Sequence, residues 1–213
     1  MSRGAGRFIT VEGGEGAGKS SNIAFIEGFL ASNGIEVVMT REPGGTPVGE
    51  EIRDLLLDHR HGGMGEDTEL LLMFAARAQH ISQVIKPALA AGKWVLCDRF
   101  TDASYAYQGG GRDIAMERIR ILEEWVQGTL RPHMTLLLDL PVDVGMARAT
   151  RRSAPDRFEI EAGRFFERVR TAYLEIAYRD PDRVKIVDAS GDLDRVQCQI
   201  REHLERMMGH IGT

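Results

Sequence analysis

Lysine is scarce in this chain. Four of its 27 basic residues are lysines (Lys19, Lys86, Lys93 and Lys185) and the other 23 are arginines. There is no surplus of positive charge either: 27 basic against 32 acidic residues leave a formal net charge of −5. That balance argues against a general binder of nucleic acid or of an anionic membrane surface, both of which reward excess positive charge. Long apolar runs are missing too. The longest, the seven residues Leu70–Ala76, falls far below the roughly 20 needed to cross a bilayer. The opening Met1-Ser2-Arg3-Gly4 leads directly into a strand-like segment, with no apolar signal core before a cleavage site. Two cysteines, Cys97 and Cys198, are too few and too far apart for a disulfide framework or a zinc cluster, so a reducing, cytoplasmic setting is expected.

What is present reads as one globular domain over residues 1–213. The chain is 43% apolar and 28% charged, enough for a sizeable core, and it shows no repeat, low-complexity tract or linker-like stretch. Short apolar runs at Phe8–Val11, Glu36–Thr40, Trp94–Cys97, Thr135–Leu140 and Val184–Val187 read as buried parallel strands. Helical spacing falls between them. Ile23, Ile26 and Leu30 form one stripe, widened by Phe25 and Phe29; Ile119, Leu122 and Val126 form another, and Phe166, Val169 and Tyr173 a third. Leu193, Val196, Ile200, Leu204 and Met207 mark a C-terminal helix. Glu66–Ala91 reads as a long helical stretch in which Pro87 introduces a kink or break. Strands alternating with helices predict an α/β fold, a parallel sheet covered on both faces, with ligands at the carboxyl ends of its strands.

The most specific signal is Gly13-Gly14-Glu15-Gly16-Ala17-Gly18-Lys19-Ser20, which fits G-x-x-x-x-G-K-[ST] at every fixed position, with a strand before it and an amphipathic helix after it. A loop that turns its N–H groups inward around an anion passes through backbone conformations that favour glycine. The helix beginning near Lys19 then points its positive end at the same phosphates. Lys19 would neutralise the β and γ oxygens of a nucleoside triphosphate, the Ser20 hydroxyl would ligate Mg²⁺, and Ser21 extends the cradle. Trp94-Val95-Leu96-Cys97-Asp98 is an apolar strand delivering a carboxylate at its tip, where a metal-organising aspartate belongs. Arg99, next to it, is a candidate clamp for a second phosphate.

A phosphate loop says nucleoside triphosphate without saying which reaction. No N-K-x-D guanine-reading segment is present, which disfavours a GTPase switch, and there is no S-G-G-Q signature of a transporter ATPase. Arginines and aromatics cluster instead near other strand ends: Thr40-Arg41-Glu42-Pro43-Gly44-Gly45, Phe74-Ala75-Ala76-Arg77, Asp98-Arg99-Phe100, and Ala106-Tyr107-Gln108-Gly109-Gly110-Gly111-Arg112. In this combination the chain resembles the bacterial thymidylate kinases, from about Phe8 to the C-terminal helix.

The resemblance implies a three-layer nucleoside-monophosphate-kinase core with a five-stranded parallel sheet, a lid, Mg²⁺ dependence and a homodimer. Its implied activity is phosphorylation of dTMP by ATP to dTDP, for dTTP synthesis. Carried over by position, Arg53, Arg99 and Arg41 would hold the dTMP phosphate. Arg77 would reach a thymine carbonyl with Phe74 stacked on the ring. Ser104 and Gln108 would lie along the base edge, and Tyr107 would crowd the sugar 2′ position. Glu15 falls where the family places an acid near the 3′-hydroxyl. One position departs from the pattern: many relatives carry the stacking aromatic four residues before the arginine, which here is Met73, leaving Phe74 or Met73 as the thymine contact. Glu42 is expected to support the turn or the neighbouring arginines rather than to do chemistry.

Arg148–Glu159, with Arg148, Arg151, Arg152 and Arg157, reads as a basic lid between the fourth strand and the next helix. The family places its catalytic arginine either in the phosphate loop or in the lid. Here the loop position is Gly16, so the role falls to the lid, Arg152 matching best and Arg157 and Arg148 following. Two other readings stay open on the sequence: a kinase for another nucleotide such as CMP, and a nucleotide-dependent switch.

Overall fold

In the computed structural model, which describes residues 6–61, 63–149 and 163–209, five strands form one parallel sheet: β1 (Phe8–Gly13), β2 (Val37–Arg41), β3 (Trp94–Asp98), β4 (Met134–Asp139) and β5 (Val184–Asp188). Their order is β2-β3-β1-β4-β5. The chain leaves β1 for one edge and later returns to its other side, so strand order changes direction beside β1. That is where an open α/β sheet leaves a crevice at its carboxyl edge. The predicted strands all form, with ends shifted by one or two residues.

Period-two alternation divides the strands between two cores. Ile9, Val11, Leu96, Leu136 and Leu138 face a cluster completed by Ile26 and Leu30 of α1 (Lys19–Ser32) and by Val196, Ile200 and Leu204 of α9 (Leu193–Gly209). Phe8, Val95 and Cys97 face the opposite side, against Ile81, Ile85 and Phe100. Further along that side Leu137 and Val184 meet Phe165, Phe166, Val169 and Tyr173 of α8 (Gly163–Arg179). The polar residues Thr10 and Thr135, paired in register between β1 and β4, share a 2.7 Å hydroxyl hydrogen bond within this second layer. Burial on both faces explains why these strands read as apolar runs.

The remaining helices are α2 (Pro47–Leu57), α3 (Glu66–His80), α4 (Lys86–Ala90), α5 (Thr101–Ser104), α6 (Met116–Gln127) and α7 (Val142–Ala149). α2 begins on Thr46, whose side chain accepts from the Gly49 N–H, with Pro47 in its first turn. The predicted long helix over 66–91 is α3, a π-helical turn at Ile81–Ile85, and α4. The irregularity lies one turn before Pro87. A proline at 87 offers no N–H to the carbonyl four residues back at Gln83, and the wider π turn absorbs that loss. A second π-helical segment, Tyr105–Gly111, continues α5; a Cβ on Gly110 would lie 2.6 Å from the Ala172 Cβ, so its lack of a side chain lets α8 approach. Among the described residues no helix is long and apolar enough to cross a membrane.

Candidate active site

The carboxyl ends of β1, β2 and β3 open into a cleft of about 290 Å³. Its floor is the phosphate loop, with Glu15, Gly16, Ala17, Gly18, Lys19 and Ser20 on the wall. Gly16 and Gly18 take the left-handed conformations expected there, at φ +70° and +80°. The Lys19 ammonium reaches back 3.3 Å to the Gly13 carbonyl. Burial lowers its pKa, and so does the nearby Arg99 charge. Arg53, on α2, is depressed in the same way, by burial and by Arg41, and it donates to the Pro43 carbonyl at 3.0 Å. Among the described residues neither Lys19 nor Arg53 forms an ion pair. Two half-buried cations crowded by further positive charge, without a carboxylate on either, make a cradle for anions.

Arg99 stands between the two ends of this cradle. Its backbone is held at φ +68°, a left-handed conformation that a residue with a side chain adopts at an energetic cost. The turn is tied by Arg99 N–H to Val11 O at 3.0 Å and by Phe100 N–H to the Glu12 carboxylate at 2.6 Å. The guanidinium donates to Gly13 O and to Glu15 Oε1, both at 3.0 Å, and lies over the Tyr107 ring, 4.8 Å from its centroid. Tyr107 OH also donates to Glu15 Oε1, at 3.1 Å.

The far end of the cleft is organised around Arg77. Its Nε donates to Glu42 Oε2 at 2.7 Å, and its Nη2 to Phe100 O at 3.2 Å and Ser104 Oγ at 3.0 Å. The Phe74 and Phe100 rings lie 4.5 and 5.2 Å from its central carbon. Only Nη1 is left: buried and without a hydrogen-bond partner. A buried donor left free in a cleft wall calls for an acceptor on the ligand. Such a group donates to a carbonyl oxygen and finds no acceptor in an amino group. Gln108, also on the wall, donates to Glu69 Oε1 at 2.9 Å. The expected role of Glu42, support of a neighbouring arginine, is what this geometry shows.

Asp98, at the tip of β3, carries the second orphan: Oδ1 is buried with no hydrogen-bond partner. Asp98 and Ser20 share the cleft wall. They fit a Mg²⁺ ion, which takes one or two protein oxygens and completes its shell with water and phosphate. Among the described residues no cluster of three or more His, Cys, Asp or Glu would hold a metal unaided.

The structure thus gathers Glu15, Lys19, Ser20, Arg53, Arg77, Asp98, Arg99, Ser104, Tyr107 and Gln108 around one cleft. Other expected residues lie off its wall. Arg41 points outward, half-exposed and 2.7 Å from Glu50. Ser21 is exposed on α1, and Gly13, the last residue of β1, and Gly14 are not on the cleft wall. Phe74 does not reach the cleft: it is 2% exposed and packs with Leu70, Ile114 and Ile119, under the Arg77 guanidinium. Met73 takes its place on the wall. Arg152, and most of the predicted lid, lie outside the described residues. Arg148, at the end of α7, donates to Ala189 O and Ser190 O at 2.8 and 3.0 Å.

A family model described as thymidylate kinase matches residues 11–200. The chain belongs to the thymidylate kinase family. It is 61% identical over 196 residues to the thymidylate kinase of Pseudomonas entomophila, covering 92% of this chain and 93% of that one. It is 54% identical over 204 residues to that of Chromobacterium violaceum, covering 95% of each. The crystal structure of thymidylate kinase from Ehrlichia chaffeensis superimposes with a TM-score of 0.76 at 32% identity, covering 94% of this chain and 99% of that one. As a thymidylate kinase the chain is an ATP-dependent phosphotransferase acting on dTMP.

Proposed function

We propose that the cleft divides the labour of dTMP phosphorylation as follows. Gly16–Ser20 and Lys19 hold the triphosphate of ATP, while Arg53 and Arg99 hold the dTMP phosphate across from it. Arg77 receives a thymine carbonyl on Nη1, Met73 lies against the ring, and Ser104 and Gln108 line the base edge. Glu15 and Tyr107, already joined by a hydrogen bond, meet the sugar. Ser20 and Asp98 would hold Mg²⁺, whose contribution when bound is to neutralise charge on the phosphate oxygens.

An ionised phosphate oxygen of dTMP attacks the γ-phosphorus of ATP in line. A new P–O bond forms, the bond to the β–γ bridging oxygen breaks, and its electron pair leaves with ADP. No proton need be removed from the nucleophile, so no general base is required. Positioning and charge neutralisation supply the rate enhancement. Arg152 of the lid brings the cation that stabilises the transferring group and helps to exclude water.

The observation that carries this reading is Arg77, fixed on three sides with one donor free, opposite Lys19, Arg53 and Arg99. Incubation with ATP and Mg²⁺, adding each nucleoside monophosphate in turn and following ADP release, tests it. Rapid turnover with dTMP alone is expected; turnover with CMP, or none with any acceptor, overturns it. Leu71 on α3 and Trp125 on α6 stay exposed, at 56% and 82%, and support a homodimer, which sedimentation of the purified enzyme would reveal. Cys97 and Cys198 are both free thiols, in accord with a cytoplasmic setting.

A further inference from the structure

Arg77 is held by Glu42, and behind Glu42 stands a histidine, His80, that is not on the cleft wall. Glu42 offers one carboxylate oxygen to Arg77 Nε, at 2.7 Å, and the other, Oε1, to His80 Nδ1, at 2.9 Å. The opposite ring nitrogen of His80, Nε2, lies 2.6 Å from Thr40 Oγ1. His80 is fully buried, and the Glu42 and Arg77 side chains are 4% and 2% exposed. The partners set the tautomer: the nitrogen facing a carboxylate carries the proton, and Nε2 accepts from the Thr40 hydroxyl. Gly45 closes the far side, since a Cβ there would lie 2.6 Å from Thr40 Oγ1 and 2.7 Å from His80 Cδ2.

The result is a buried line, Thr40–His80–Glu42–Arg77, ending in one free guanidinium nitrogen. Glu42 has two oxygens and two donors. With the histidine donor removed, Oε1 is a buried carboxylate oxygen with no partner, and the carboxylate turns toward Arg77 to recover one. The guanidinium then leaves the plane fixed by Phe100 O and Ser104, and Nη1 no longer meets its acceptor. We propose that His80 is a positioning residue for base recognition, acting through Glu42 to aim Arg77 Nη1 at a pyrimidine carbonyl. The proposal rests on the reading of Arg77 as the base-facing donor.

Steady-state rates with dTMP and with dCMP as acceptors, at saturating ATP, test it. His80→Leu is expected to lower kcat/KM for dTMP by about 10-fold or more, chiefly through KM, and to narrow the dTMP:dCMP ratio, with the KM for ATP unchanged. His80→Asn places an amide nitrogen where Nδ1 was and should retain the ratio; His80→Gln places it nearer Nε2 and should not. A protein that was merely loosened would lose rate with both acceptors and leave their ratio alone. If Arg77→Ala collapses the ratio while His80→Leu keeps it, the role of His80 is overturned and that of Arg77 stands. If Arg77→Ala itself leaves the ratio intact, the reading of Arg77 falls. Should His80→Leu not fold, the Asn and Gln pair carries the test, and equal ratios in the two overturn the proposal.

Discussion

The backbone of Gly145 lies so close to Gly16 that a Cβ on Gly16 would fall 1.9 Å from the Gly145 carbonyl oxygen. The approach is close from the other side too: a Cβ on Gly145 would lie 2.3 Å from Glu15 O. The phosphate loop and α7 therefore meet backbone to backbone, and α7 immediately precedes most of the predicted lid in sequence. Gly145→Ala, on a helix where alanine is otherwise favourable, should push the loop off its position. The expected result is a raised KM for ATP and a loss of about 1–3 kcal/mol of stability. Urea unfolding and ATP titration of the rate check both; an unchanged KM would show that the loop yields without consequence.

The same contact bears on where the transition-state cation comes from. A side chain at position 16 is excluded by α7, so an arginine cannot be supplied from the loop. Arg148 is engaged with the Ala189 and Ser190 carbonyls, which favours Arg152 over it for the role proposed above. Arg152→Ala should lower kcat by about 10³-fold, the magnitude typical of an arginine on a transferring phosphoryl group. The KM for dTMP should change little, because the interaction is made chiefly in the transition state. Parent-like turnover in this variant would move the role to another lid arginine.

Met73 and Phe74 should separate by the quantity that each one changes. Phe74 fills core between α3 and α6, so Phe74→Ala is expected to cost about 3–5 kcal/mol and to lower the melting temperature sharply. Met73 lines the cleft, so Met73→Ala should raise the KM for dTMP with little change in melting. Calorimetry paired with dTMP kinetics distinguishes them; the opposite pairing would put Phe74 against the thymine ring.

This pair also marks where local pattern stops being informative. At about 100° per residue, positions three and four before Arg77 fall some 60° to one side of it and 40° to the other. Helical spacing therefore places both near Arg77 and cannot choose. The choice is made by Ile114 and Ile119, which reach Phe74 from the following segment and α6. The strands and the phosphate loop were legible because their signals are local: apolar runs buried on both faces, and glycines where the backbone turns left-handed. Arg41 was visible as an arginine at a strand end, but Glu50, nine residues on, turns it outward. α2 escaped the periodic reading, although Thr46 and Pro47 carried its start. His80 meets Glu42 across 38 residues and Tyr173 meets Glu12 across 161, and no spacing rule connects such positions.

Glu12 is the buried acid that links these parts. It accepts from Phe100 N–H at 2.6 Å and from Tyr173 OH at 2.7 Å, tying the Arg99 turn to α8. Burial, with the Asp102 charge nearby, pushes its pKa up to about 8 from 4.5. A carboxyl raised in the folded state binds its proton there while the unfolded chain has released it. Its contribution to stability is therefore complete below about pH 4.5 and lost as pH rises toward 8, by a few kcal/mol across that window. Glu12→Gln keeps an acceptor for Phe100 N–H and removes the titration. Unfolding free energies measured from pH 5 to 9 should fall with pH in the parent and stay flatter in Glu12→Gln. Parallel curves would mean that Glu12 is ionised in the folded protein, stabilised by Arg99 more strongly than burial opposes it.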